Sequence, residues 1–137
     1  MNIYFACSIT GGRDFESVYQ AIVHALVEDK HEVPTAHLAE TSVTSVEAVI
    51  DPREVYDRDV TWIRACDTLI AEASVPSHGV GYEIGFALGI GKPVLVLYQE
   101  RRKISKMISG NPDSNLTVML YQTPEEAIQI IRSFLSR

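Results

Sequence analysis

Residues 68–98 read TLIAEASVPSHGVGYEIGFALGIGKPVLVLY, and this stretch decides the fold. Residues 68–73 are apolar and β-prone, 74–81 carry the Ser, Pro and Gly of a loop, 82–90 follow with helical spacing, and 93–98 are apolar and β-prone again. A strand, a helix and a second strand in this order build a parallel sheet covered on both faces, whose strands read as unbroken apolar runs. The same alternation continues upstream. Residues 3–9 form a first strand ended by Gly11-Gly12, and Phe15, Val18, Ile22, Ala25 and Leu26 set out an amphipathic helix over 13–28. A weaker strand over 31–37 contains Pro34, residues 38–51 are a Thr/Ser-rich loop or partial helix, and Pro52 opens a helix to Cys66. Downstream lie a basic segment at 100–110, a strand at 117–121 and a closing helix from Pro124.

The expected class is α/β: a flavodoxin-like three-layer sandwich with about five parallel strands in the order 2-1-3-4-5. With 137 residues this is one domain, 1–137, and a hydrophobic fraction of 46% fills one core. Cys7 and Cys66 stand far apart without neighbouring ligand residues, so neither a disulfide framework nor a metal site is expected. The start has no basic leader and no stretch approaches about 18 uninterrupted apolar residues, which places the protein in the cytoplasm and away from membranes. Twelve Lys and Arg against eighteen Asp and Glu, a net charge of -6 without a basic block, exclude binding to duplex nucleic acid.

In open parallel sheets ligands bind beyond the carboxyl ends of the strands, where strand order reverses. Two loops meet there, residues 8–13 and 74–81. Ser8, Thr10, Gly11, Gly12 and Arg13 place hydroxyls, glycines and a guanidinium at a helix N-terminus, which suits an anion and equally suits a plain turn that needs glycine geometry. Glu83, read in the first turn of the next helix, is expected to stay ionised through the helix dipole and so to suit a nucleophile. Gly79, Gly81 and Gly85 are expected to clear space around it. Asp59 falls within an apolar stripe of Val55, Trp62, Ile63 and Cys66, and burial there raises a carboxyl's pKa and favours the protonated acid. Each carboxylate has a structural alternative, Glu83 as a surface charge offsetting the dipole and Asp59 as a cap of a neighbouring loop. Two carboxyls with pKa values pushed apart match glycosidic-bond chemistry. The basic run 101–106 reads as a solvated face, a subunit interface or a phosphate contact.

Taken together, Tyr4-Phe5 through Ser8-Ile9, Gly11-Gly12-Arg13, Asp59 with Trp62, and above all Pro76-Ser77-x-Gly79-Val80-Gly81-Tyr82-Glu83-x-Gly85 resemble the nucleoside 2-deoxyribosyltransferase superfamily, most closely its 2'-deoxynucleoside 5'-phosphate N-hydrolase branch. The resemblance implies a Rossmann-like fold, a homodimer that uses no metal or cofactor, and hydrolysis of deoxynucleoside monophosphates to free base and 2-deoxyribose 5-phosphate. By position it implies Glu83 as nucleophile, Tyr4 as the group orienting it, and Asp59 as the acid for the leaving base. It implies Cys7, Ser8, Ile9, Thr10, Gly11, Gly12, Arg13, Tyr19, His37, Ser77 and Gly79 around the substrate, with Ser105, Lys106 and Met107 reaching the neighbouring subunit's site. Thr10 departs from the arginine that mammalian members of this branch carry facing the phosphate. A base-exchanging transferase, a ribonucleotide hydrolase of the cytidine monophosphate type and a non-catalytic nucleotide sensor stand as alternatives.

Overall fold

A computed structural model of the chain describes residues 1–9 and 13–137. Four parallel strands, β1 Ile3–Ala6, β2 Thr68–Glu72, β3 Val94–Gln99 and β4 Leu116–Tyr121, form one sheet in the order β1-β2-β3-β4. Its register sets Tyr4 opposite Leu69, Ile70 opposite Leu95 and Val96 opposite Val118. Between β1 and β2 run α1 Glu16–Glu28, the short α2 Val43–Glu47 and α3 Pro52–Ala65. The helix α4 His78–Gly89 joins β2 to β3, the single turn α5 Lys106–Ser109 lies between β3 and β4, and α6 Pro124–Leu135 closes the chain.

Because successive strand residues point to opposite faces, the sheet splits its apolar side chains between two cores. Ile3, Phe5, Ile70, Leu95 and Leu97 meet α1 and α6 through Tyr19, Ile22, Leu26, Ala127 and Ile131. Tyr4, Ala6, Leu69, Ala71, Val94 and Val96 meet α3 and α4 through Ile63, Val80, Ile84 and Ala87. Helix starts follow local chemistry. Asp51 accepts from the Arg53 N–H at 2.8 Å with Pro52 at the first helical position, and Thr123 accepts from the Glu126 N–H at 3.2 Å with Pro124 behind it.

The α/β class and the parallel sheet agree with the expectation, and the strand count differs. The strand expected at 31–37 is reduced to one bridge, in which Glu32 N–H donates to Met1 O at 2.9 Å and Ile3 N–H to Glu32 O at 2.8 Å. Pro34 has no N–H to continue the ladder, and a turn closed by Ala36 N–H to Val33 O at 3.0 Å leads into a 3-10 helix at Ala36–Ala39. The Phe5 N–H that a longer strand would have paired donates instead to Thr35 Oγ1 at 3.0 Å. That bridge lies on β1's free side, where the expected order 2-1-3-4-5 placed its second strand, so the sheet keeps the expected succession of the other four without that member. A second difference matters more for chemistry. Helix α4 begins at His78 rather than at 82, because Ser77 caps it and accepts from the Val80 N–H at 3.3 Å.

No helix among the described residues is long and apolar enough to cross a membrane. At the end of α1, Lys30 adopts φ 66°, the left-handed region in which a Cβ is penalised. Lys30→Gly is expected to raise the unfolding free energy by about 0.5–1 kcal/mol, read as a higher urea midpoint at unchanged slope.

Candidate active site

The deepest functional contact joins β1 to α4. Tyr4, fully buried among Ala6, Leu69 and Ile84, donates its hydroxyl to Glu83 Oε1 at 2.9 Å. On α4, Val80, Ile84 and Ala87 face the sheet, and Glu83, three residues beyond Val80, lies at the margin of that face. Glu83 walls a cleft of about 350 Å³ together with Cys7, Ile9, Leu38, Glu47, Asp59 and Ser77. Its Oε2 receives no protein donor among the described residues.

The charge state of Glu83 differs from the sequence expectation. Because α4 starts at His78, Glu83 is the sixth helical residue rather than one of the first turn, and the dipole's benefit falls off within that turn. Burial dominates and raises its pKa to about 8, with the negative Asp59 adding to the rise and the Tyr4 hydrogen bond and Arg58 opposing it. Tyr4 is pushed upward by burial and by Glu83, so it remains a neutral donor.

Asp59 follows the expected direction. Burial raises it, the Arg58 hydrogen bond from Nε at 2.8 Å opposes, and Glu47 pushes it up again. Arg58 also bonds Glu47, from Nη1 to Oε1 at 3.0 Å and from Nη2 to Oε2 at 3.4 Å, and its guanidinium lies 4.9 Å from the Trp62 ring centre. His37 Nε2 is 3.0 Å from the same Glu47 Oε1, and its ring meets Trp62 edge-on at 6.0 Å. Burial alone would raise Glu47, and the Arg58 and His37 hydrogen bonds outweigh it and hold Glu47 below the usual carboxylate range.

Around the first loop the picture is mixed, and Thr10, Gly11 and Gly12 lie outside the described residues. Arg13 makes five hydrogen bonds: Nε and Nη2 to Glu16 Oε1, Nη1 to Ser8 O and Leu38 O, and Nη2 to Glu40 O. All five of its N–H groups hold residues 38–40 and α1 to the loop, whereas the sequence had offered them to an anion. Ser8 Oγ and Tyr19 OH are buried without a partner among the described residues, and the Arg13 guanidinium sits 5.4 Å from the Tyr19 ring centre. Cys7 is buried, and its thiol is pushed up to about 12 by burial, so it stays protonated.

Ser77 borders two cavities at once. The second, of about 250 Å³, runs from Ser77, His78 and Gly81 to Lys103, Ile104 and Ser105. Ser105 caps α5 by accepting from the Met107 N–H at 3.2 Å, Lys106 is exposed, and Met107 is 84% exposed. The glycines do not relieve crowding within the chain: a Cβ at Gly81 or Gly85 would meet nothing within 4 Å, and one at Gly79 only Ser77 Oγ at 3.8 Å. Gly79, one turn before Glu83 on α4, lines the cleft beside it as expected, whereas Gly81 and Gly85 do not line that cleft. Among the described residues no group of three or more His, Cys, Asp or Glu is placed to hold a metal ion.

Three residues escaped the sequence reading. Glu47 and Arg58 carry no periodic signal, since their partnership spans eleven positions and two helices. Glu72 had one, a charge inside the apolar run 68–73. It is fully buried, accepting from the Ser74 hydroxyl, from Ser74 N–H at 3.3 Å and from Tyr121 OH at 3.0 Å, while Ser74 Oγ accepts from the Gln99 N–H at 2.8 Å. This network ties together the ends of β2, β3 and β4 below the loop that leads to Ser77.

The family model described as nucleoside 2-deoxyribosyltransferase matches residues 3–124. The chain belongs to that family. Within this nucleoside 2-deoxyribosyltransferase family, a Methanosarcina mazei protein provisionally named 2'-deoxynucleoside 5'-phosphate N-hydrolase 1 is 39% identical over 98% of this chain and 83% of its own length. The mouse protein named 5-hydroxymethyl-dUMP N-hydrolase is 37% identical over 97% of this chain and 79% of its own. Among solved structures, the CMP N-glycosidase of Clostridium botulinum shares the fold with a TM-score of 0.70 at 23% identity, over 95% of this chain and 97% of that one.

A buried carboxyl held at about 8 makes stability depend on pH. The folded chain keeps a proton that the unfolded chain releases near its ordinary 4.5, so this contribution is complete below about pH 4.5 and is lost as pH rises through about 8. Urea midpoints measured from pH 4 to 9 are expected to fall over this window, and Glu83→Gln to flatten the fall. Tyr4→Phe removes a donor that favours the carboxylate, so NMR titration of the Glu83 side chain is expected to move upward in that variant; a value near 4.5 in either protein contradicts the burial argument.

Proposed function

We infer that the protein is an N-glycosidase that hydrolyses 2'-deoxynucleoside 5'-monophosphates to free base and 2-deoxyribose 5-phosphate. The observation that carries this reading is the Tyr4–Glu83 pair in a cleft that Asp59 also walls. The names borne by the relatives in Methanosarcina mazei and mouse support the same bond and the same substrate class.

In the proposed reaction Glu83 first gives up to solvent the proton that burial keeps on it in the empty cleft; Tyr4 fixes one of its oxygens and leaves the other free to attack the anomeric carbon as the carboxylate. As the Glu83–carbon bond forms, the bond from that carbon to the base nitrogen breaks, its electron pair leaves with the base, and Asp59 delivers a proton to it. Water then attacks the anomeric carbon, its proton passes to Asp59, and Glu83 departs as carboxylate. Burial serves the nucleophile twice: a poorly solvated carboxylate loses little hydration on attack, and the positive charge developing on the sugar favours the ionised form. A 2-deoxy sugar lacks an electron-withdrawing 2-hydroxyl, so two carboxyls and positioning suffice, with no metal or cofactor in the scheme.

Ser8 and Tyr19 supply hydroxyls for sugar or phosphate oxygens, since a buried donor left unpaired costs about 1–3 kcal/mol and gains a partner when substrate arrives. With Arg13 engaged by the fold, the phosphate is assigned to the α4 N-terminus beside Ser77. The single domain, 1–137, is proposed to work in the cytoplasm as a homodimer, with Ser105, Lys106 and Met107 contributed to the neighbouring site. The exposure of Met107 and Tyr82 and the open glycine face of α4 support that arrangement.

The test is chromatography of released base and sugar phosphate from deoxynucleoside monophosphates, ribonucleotides and unphosphorylated deoxynucleosides. Deoxy-monophosphates are expected to be cleaved fastest. Glu83→Gln is expected to lower kcat about a thousandfold or more with nucleotide still bound, and Asp59→Asn about a hundredfold or more. A new nucleoside formed on adding an acceptor base would mark a transferase instead, and binding without base release in the wild type would mark a sensor.

A further inference from the structure

The described residues that wall the central cleft are divided sharply by chemistry. Ile9, Leu38, Ile50, Pro52 and Val55 are apolar, and the charged side chains are Glu47, Asp59 and Glu83, with no arginine or lysine among them. Pro52, Val55 and Asp59 follow one another at helical spacing on α3, so they share one wall. With Asp59 as the proton donor to the departing base, the base lies against that wall, a placement that rests on the N-glycosidase reading.

Glu47 stands on the same cleft with its orientation fixed. Oε1 accepts from Arg58 Nη1 at 3.0 Å and lies 3.0 Å from His37 Nε2, whereas Oε2 has only the 3.4 Å approach of Arg58 Nη2. Those partners keep it an ionised, acceptor-only group, with lone-pair capacity left on Oε2. Its side chain is 11% exposed, so an interaction made there is shielded from bulk water. The complement of such a group is an N–H edge. Cytosine, adenine and guanine carry an exocyclic amino group that projects from the ring, while uracil and thymine present a carbonyl oxygen where cytosine has its amine, setting lone pairs against lone pairs at that exocyclic position and leaving only the recessed ring N3–H as a donor.

We propose that Glu47 reads the nucleobase, giving this site a preference for bases with an exocyclic amino group over uracil and thymine. Arg58 and His37 are positioning residues for it. The mouse relative is named for a uracil-type base, so this preference sets the present chain apart from that protein.

The discriminating pair is dCMP and dUMP, which share sugar and phosphate and differ along one base edge: an amine at C4 and a bare N3 in cytosine, a carbonyl at C4 and an N3–H in uracil. Wild-type kcat/KM is expected to favour dCMP by about tenfold or more, the worth of one hydrogen bond to a charged group. Glu47→Gln retains an oxygen for Arg58 and adds an N–H, so the ratio is expected to collapse toward one or invert, through KM more than kcat. Should that variant fail to fold, Glu47→Asp, which withdraws the charge by one methylene, is expected to lower the ratio. Equal or faster cleavage of dUMP by the wild type overturns the proposal, as does a ratio unmoved by the substitution. If neither nucleotide is cleaved, the N-glycosidase reading fails on its own, and the ratio of Kd values for dCMP and dUMP in wild type and variant decides the role of Glu47 by the same criteria.

Discussion

A hydrogen bond from a tyrosine in the middle of β1 to a glutamate on α4 fixes the rest of this site. Tyr4 can make it only because β1 is buried on both faces and its even-numbered residues point at α3 and α4. Glu83 can receive it only because Val80, Ile84 and Ala87 seat α4 on that same face. The carboxyl is thereby drawn out of water, and burial overrides the hydrogen bond that favours its charge. A carboxyl with a raised proton affinity is thus produced by packing.

The second carboxyl is governed differently. Asp59 shares one guanidinium with Glu47, so Arg58 sets two negative groups at fixed positions on one side of the cleft while Glu83 stands apart from that pairing. Three acids near one cavity, each with a different set of partners, hold three different proton affinities. That separation arises where the short α2, which carries Glu47, meets the longer α3, which carries Arg58 and Asp59.

Sequence alone carried the parallel sheet, most of its helices, and Asp59 and Glu83 as candidate carboxyls, because apolar runs, helical spacing and glycine-rich loops are local signals, whereas Tyr4 entered only through the family resemblance. It misplaced the charge of Glu83 for a local reason too: a helix start four residues earlier, set by Ser77, removes the residue from the dipole's reach. Glu47 and Arg58 were illegible because nothing in a Thr/Ser-rich stretch announces a partner eleven positions away. Arg13 was legible as a cation but not as a strut, since its acceptors include main-chain carbonyls of residues 38 and 40, brought near only by the fold. The strand expected at 31–37 failed at Pro34, a residue whose effect was visible and whose consequence depended on Thr35 taking over the Phe5 N–H.

That substitution of a side chain for a strand has a bearing on how copies of the molecule can associate. An open sheet edge is a template on which another polypeptide can add itself, backbone to backbone. On the β1 side the template is cancelled: Glu32 occupies one rung, the Thr35 hydroxyl occupies the next donor, and Pro34 between them offers no N–H to an incoming chain. Association on that flank by continuation of the sheet is therefore blocked, which protects the first strand, and the tyrosine it carries, from being recruited into intermolecular pairing.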